Sequence, residues 1–335
     1  MRSRRNYLLL RTNKNSGMGF YRTVLSIVQT TLIKLLVLFT KNSRKDRYEH
    51  IRFPVRFLLD EAYLDESLHS IQKIDSSGKK RIHIDLSVVK KISKEALIIL
   101  LAQTEKAIDR TGKDVYIRVP INKKARNIVT GKWEDKHIHH TNYNKIEKSG
   151  IKDIVFKDGI DPTVILPALI DLRKIDIQEL YGPLYDFLVE LIGNATEHGI
   201  RGMSLSWWFL YYKDKNSYRF VFVDMGKGIV GSYASAEATR EITQDKSHQE
   251  ILLEALDGKL GSSTGKENRG RGLPFIMRCV KKGFISDFVL MTNGVYSRYE
   301  NGAMRTRSIP EFEGTYLSWK INQSNYIQWK NTLST

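Results

Sequence analysis

From Leu184 to Ile321 the chain sets four short motifs at the junctions of apolar helices and strands, and their order restricts the possible folds more than any bulk property. Leu184 to His198 (LYDFLVELIGNATEH) carries Leu184, Leu188, Leu191 and Ala195 at i, i+4, i+7 and i+11, the stripe of a helix facing a core. Glu190, Asn194 and His198 follow at four-residue steps on an adjacent face, each step drifting by about 40° at roughly 3.6 residues per turn. Arg219 to Asp224 (RFVFVD) reads as a strand and runs straight into Asp224-Met225-Gly226-Lys227-Gly228-Ile229. Asn268-Arg269-Gly270-Arg271-Gly272-Leu273-Pro274 then opens an apolar helix, and Gly314-Thr315 precedes the strand Tyr316 to Ile321. The aromatic run SWWFLYY, with Trp207 and Trp208, is expected to pair with RFVFVD across a turn at Lys213 to Ser217, its rings in a core.

The ordered set E-x-x-x-N-A-x-x-H-G, D-x-G-x-G-I, G-x-G-L and G-T resembles the GHKL ATP-binding superfamily, which takes in gyrase, the ninety-kilodalton heat-shock chaperones, histidine kinases and mismatch-repair ATPases. The resemblance covers about residues 180–321 and implies an α/β sandwich that binds ATP with Mg²⁺. Under it the Asn194 amide oxygen serves as a hard ligand for Mg²⁺, and Glu190, one helical turn earlier, as general base toward a water near the terminal phosphate. Asp224, at a strand end, accepts from the exocyclic amine of adenine, with Thr315 beside it. Gly226 and Gly228, lacking Cβ atoms, let backbone approach the base. Gly270, Arg271, Gly272 and Leu273 begin a helix whose free N–H groups favour phosphate, and His198 closes the first box. Residues 229–269 are expected to form a mobile lid, with the turn-rich, cationic Gly258 to Lys266 over the phosphates.

Two local patterns point elsewhere and are rejected. Gly226-Lys227-Gly228-Ile229-Val230-Gly231 is a literal G-x-G-x-x-G after a strand, the dinucleotide fingerprint, but that reading leaves the other three boxes unexplained and has no clear partner strand afterwards. Gly261 to Glu267 imitates a P-loop with the spacing one residue short and Glu267 where Ser or Thr belongs.

The first half alternates strand and helix signals, as a small α/β layer domain does. Strands are expected at Phe53 to Leu58, Arg81 to Leu86 and Val115 to Val119. A helix is expected from Ser93 to Arg110, with Ser93 as N-cap and Thr111-Gly112 as its end, and a short one over Asn122 to Thr130. The IHIDLS strand, the long helix and the next strand resemble the STAS domain of anti-sigma-factor antagonists and anion-transporter tails. Ser93 is the nearest match to the serine those antagonists phosphorylate, but its neighbours Lys91, Ile92, Lys94 and Glu95 differ, and capping is its expected role. Residues 131–160, with Gly131, Gly150, Gly159 and the run His137-Ile138-His139-His140, read as a linker with a solvated loop.

Charge is uneven. The chain of 335 residues carries a formal +17, and residues 1–50 hold eleven Lys or Arg against Asp46 and Glu49, a surplus of nine. Val24 to Phe39 (VLSIVQTTLIKLLVLF) is the most apolar stretch, yet it contains Lys34 and Gln29 and falls short of the roughly 20 residues a spanning helix needs. Three roles for this basic arm stay open: a helix buried against the core or a sister subunit of a homo-oligomer, an amphipathic helix on an anionic membrane, or a nucleic-acid-binding arm. The single Cys279, set among Phe275, Ile276, Met277 and Val280, excludes a disulfide framework, agrees with a reducing cytoplasm and reads as core.

The expected organisation is therefore a basic arm (1–50), a STAS-like α/β domain (51–130), a linker (131–160) and a GHKL domain (161–335). Glu190 and the Gly-Leu-Pro-Phe-Ile-Met run resemble the anti-sigma-factor serine kinases more than histidine kinases, which usually carry Asn there and need a helical hairpin with a phospho-accepting His. Clamp ATPases carry a transducer domain after the ATP fold, and with only a short run after Ile321 a clamp is not expected. The pairing implies a regulatory protein whose nucleotide state acts on a protein partner or on its own STAS-like part.

Overall fold

The computed structural model describes residues 7–10, 48–129, 137–142, 186–187, 190, 206–261, 272–325 and 327. The chain is mixed α/β and divides into two compact units, one of residues 1–134 and 145–152, the other of 135–144 and 153–335.

In the N-terminal unit, strands β1 (Tyr7–Leu10), β2 (Tyr48–Arg52), β4 (Arg81–Asp85) and β6 (Asp114–Arg118) form one sheet in the order β1-β6-β4-β2. The inner pairs are parallel, and β1 adds antiparallel to β6. A second parallel pair joins β3 (Arg56–Phe57) to β5 (Lys91–Ile92). Helices α1 (Leu64–Ser76) and α2 (Lys94–Thr111) make the two crossovers, and α3 (Lys123–Val129) follows β6. Strict alternation sends Ile51, Ile82, Ile84, Val115 and Ile117 into the core, while the residues between them stay partly exposed.

The α2 boundaries match their sequence signals. Ser93 Oγ accepts from the Ala96 N–H at 3.1 Å, and Gly112 ends the helix in the left-handed region (φ 60°) with its N–H on the Ile108 carbonyl. The first strand differs from expectation. Pro54 has no N–H to give a ladder, so of the run expected as one strand over 53–58 only the two-residue β3 is a strand, and β2 ends just before it at Arg52. Tyr7–Leu10 and Tyr48–His50, expected as parts of the arm, are thus strands. Helix α1 was also not anticipated, although Leu64, Leu68 and Ile71 sit at helical spacing behind Asp65 and Glu66.

The C-terminal unit holds an antiparallel sheet of seven strands in the order β12-β11-β10-β13-β9-β8-β7. These are β7 (His137–Asn142), β8 (Ser206–Asp214), β9 (Ser217–Asp224), β10 (Ser286–Thr292), β11 (Val295–Glu300), β12 (Ala303–Ser308) and β13 (Thr315–Asn322). The expected pairing of SWWFLYY with RFVFVD is the β8–β9 hairpin, with Asp214 opposite Ser217. Part of the expected linker is a strand, since β7 pairs along β8 from His137–Tyr211 to Asn142–Ser206. Backbone pairing outweighs the polar composition that suggested a loop.

Helices α4 (Ile229–Ser235), α5 (Arg240–Thr243), α6 (His248–Leu256) and α7 (Gly272–Lys281) lie between β9 and β10 in sequence. Val230, Tyr233, Ile251, Leu252, Leu256 and Leu260 share one core with Phe220, Phe222, Leu317 and Trp319 of the sheet. Residues 229–260 of the expected lid are thus helical and packed on the sheet, and its remainder, 262–269, lies outside the described residues. The apolar face of α6 is buried, and Ser247 and Glu250 close its N-terminus in a capping box. Cys279 is buried in this core as expected, and burial pushes its thiol up to about 11.

Candidate functional site at the sheet rim

The end of β9, the start of β13 and the end of β10 lie side by side. Antiparallel register sets Thr292 opposite Thr315, Thr315 opposite Asp224, and Asp224 opposite Trp207. Directly opposed residues point to the same face, so these four side chains form a row at the end of the core face. All are buried. The sheet thus brings Asp224 and Thr315, far apart in sequence, to adjacent strands.

Asp224 Oδ1 accepts from the Gly226 N–H at 2.9 Å, which folds the chain back immediately after the strand. Gly314 lies against this turn with φ 102°, and a Cβ there would stand 2.1 Å from the Asp224 carbonyl oxygen. Only glycine can occupy that position. The close approach locks the Gly314-Thr315 box onto the Asp224 box through backbone contact.

Two residues that sequence reasoning passed over organise the rest. Asn293-Gly294 forms the β10–β11 turn, with φ 45° and 77°, the positive pair that a two-residue hairpin with right-handed twist requires. The Thr292 hydroxyl donates to the Gly314 carbonyl and accepts from the Ile229 N–H, both at 2.9 Å. Asn293 accepts from the Gly231 N–H at 3.0 Å and donates to the Lys227 carbonyl at 2.9 Å. Its own carbonyl lies 2.7 Å from His248 Nδ1. The Asn-Gly pair between apolar runs was the available signal; Asn301-Gly302, also at positive φ, repeats it between β11 and β12.

Gly228 gains a different reason from the one expected. A Cβ there would meet Asn293 Oδ1 at 2.1 Å and Thr292 Oγ1 at 2.6 Å, so its bareness admits the side chains of the β10–β11 turn. The same contacts dispose of the dinucleotide reading. The N–H groups of Ile229 and Gly231, at the start of α4, are taken by Thr292 and Asn293, and both sheet neighbours of β9 are antiparallel to it.

The remaining expected residues divide into two sets. Gly272 is buried at the start of α7, and Leu273 packs partly buried against the core. Glu190 is a half-buried helical residue three positions after Phe187, whose ring meets Trp319 edge-on at 4.9 Å. Phe187 lies outside the stripe read from sequence, so the described turn of this helix faces the core through a residue the stripe omitted. Asn194, His198, Gly270 and Arg271 lie outside the described residues. No group of three or more His, Cys, Asp or Glu suited to a metal occurs among the described residues, and no described helix is long and apolar enough to cross a membrane.

For a purine, the described groups would be chemically apt at one end: a buried acceptor carboxylate and a hydroxyl on adjacent strands, beside backbone brought close by glycine. Comparison of the chain with family models, curated proteins and solved structures finds no match to any of them.

Proposed function

We propose that the C-terminal unit binds ATP with Mg²⁺ at this rim, and that the protein is a regulator whose nucleotide state acts on a protein partner or on its own N-terminal unit. The supporting observation is the register of Asp224 against Thr315, with Gly314 seated on the Asp224 turn. In this reading Asp224 accepts from the exocyclic amine of adenine, with Thr315 beside it. Asn194 would hold Mg²⁺, and the bound metal would neutralise phosphate charge. Glu190 would act as general base in ATP hydrolysis or in transfer to a serine. The phosphates would meet Gly270, Arg271, Gly272 and Leu273 at the start of α7.

Titration calorimetry with ATP, with and without magnesium, tests the binding step. Asp224→Asn should weaken ATP by about ten- to a hundredfold, the range for losing a hydrogen bond to a charged acceptor. Glu190→Ala should leave binding intact and remove phosphate release. Equal loss of binding in both variants contradicts the assigned roles, and tight binding with neither phosphate release nor ADP and phosphoserine formation in the unmodified protein makes the site a sensor and not an enzyme.

A further inference from the structure

One face of the N-terminal sheet is closed by its buried Ile and Val residues; the other carries aromatic rings and arginines. Parallel register places His50, His83 and Tyr116 in one row across β2, β4 and β6, with Tyr48 two residues from His50 on the same face. The His50 and His83 rings meet edge-on at 5.0 Å, and Tyr48 and Tyr116 lie 6.0 and 5.9 Å from His83. His50 is exposed and the other three rings are partly exposed. Arginines surround them. Arg81 reaches over Tyr48 at 5.6 Å, Arg118 stands two residues from Tyr116, and Arg52 is exposed at the end of β2.

We infer that this open face is a docking surface for single-stranded nucleic acid, with bases stacked on the rings and phosphates held by the arginines. Rings interleaved with guanidinium groups on an open sheet are what unstacked bases need, because every base offers a π-face. Charge complementarity favours a polyanion. The chain carries +17, and this count includes Arg2, Arg4, Arg5 and Arg11, which flank β1 in sequence. Asp114 and Asp85 pair with Arg81 and Arg118 at 3.5 and 3.4 Å, but a guanidinium has five N–H donors and keeps some for a phosphate. A lipid surface suits the face less well. Among the residues whose exposure is described, the exposed large aliphatics are Val55, Val88, Ile121, Ile242 and Ile327, and none belongs to β2, β4 or β6; on the edge strand β1, Leu9 stands opposite Tyr116. The inference does not depend on nucleotide binding by the C-terminal unit.

Fluorescence anisotropy of the full chain with a labelled oligouridylate at low salt tests it, alongside a duplex of equal length and phosphatidylserine vesicles. The single strand should bind, the duplex more weakly, and affinity should fall steeply as salt rises. Tyr116→Ala should weaken the single strand about fivefold or more, while Tyr116→Phe, which keeps the ring, should bind as the original does. Arg52→Gln, at an exposed position, should lower the salt slope by about one. Absence of single-strand binding, or capture by vesicles alone, overturns the inference. So does unchanged affinity in Tyr116→Ala and Arg52→Gln with loss confined to an Arg2, Arg4 and Arg5→Gln variant, which would transfer the binding to the arm.

Discussion

The two sheets invert a common tendency. Parallel sheets are usually buried on both faces, and antiparallel ones commonly leave one face to water. Here the parallel strands β4 and β6 alternate buried and half-exposed along their whole length. The antiparallel β9 and β13 are buried at consecutive positions: Phe220 to Asp224 in one, Thr315 to Trp319 in the other. Burial here follows side-chain composition and not strand direction. RIHID and DVYIR offer one apolar residue in two, whereas RFVFVD offers rings on one side and valines on the other. An open face is free to carry function across its width, while a sheet buried on both faces can present polar groups only at its rim. Accordingly, the candidate surface of the first unit is a face and the candidate site of the second is an edge.

The contrast can be broken most directly by comparing truncations in urea unfolding. Trp319 is fully buried, stacked on Phe220 at 5.5 Å and 6°, so Trp319→Ala should cost about 3–5 kcal/mol. Tyr116→Ala, on the open face of the other unit, should cost about 1 kcal/mol. Equal costs would mean that the open face is closed by packing. Gly314→Ala should come next, at about 3 kcal/mol, because the new Cβ collides with the Asp224 backbone at a positive φ. If that variant melts like the original, the two boxes are not locked together. Ser93→Ala should remove about 1 kcal/mol from the N-terminal unit by uncapping α2, and a glycine at that position should recover most of it.

The smallest expected effect is a pH dependence of the open face. Burial, the neighbouring His50 and the Arg118 charge lower the His83 pKa below 6.5, against the opposing pull of Asp85. The unfolded chain therefore binds the proton more readily. The stability that neutral His83 contributes is complete above 6.5 and is lost as pH falls toward the lowered folded value. Thermal unfolding between pH 7 and about 5 should show a declining midpoint, and His83→Phe should flatten the decline. An identical slope in both proteins would remove His83 from the account.

Local signals carried well where one segment decides its own structure. Ser93 and Gly112 delimit α2 because caps satisfy backbone groups within a turn, and the β8–β9 hairpin needs only two adjacent strands and a tight turn. The same logic failed between residues 229 and 260. The boxes on either side gave no sign of the helices between them, yet Ile251, Leu252, Ala255 and Leu256 make an apolar face that α6 buries in the core. It also failed at β1 and β7, edge strands whose existence depends on a neighbour supplied by a distant part of the chain.

Asp224, Thr315 and the glycine boxes were visible in the amino-acid order, because strand ends and turn residues are written locally. Local patterning did not give their adjacency, which came only with the family resemblance. Only the insertion of β13 between β9 and β10 set Thr315 beside Asp224, and only that contact made Gly314 obligatory and brought Thr292 and Asn293 to the start of α4. Sequence patterning determines which residues can face a core. Pairing between distant strands selects their partners, because backbone hydrogen bonds form along any compatible edge and side-chain burial across the whole sheet chooses among them.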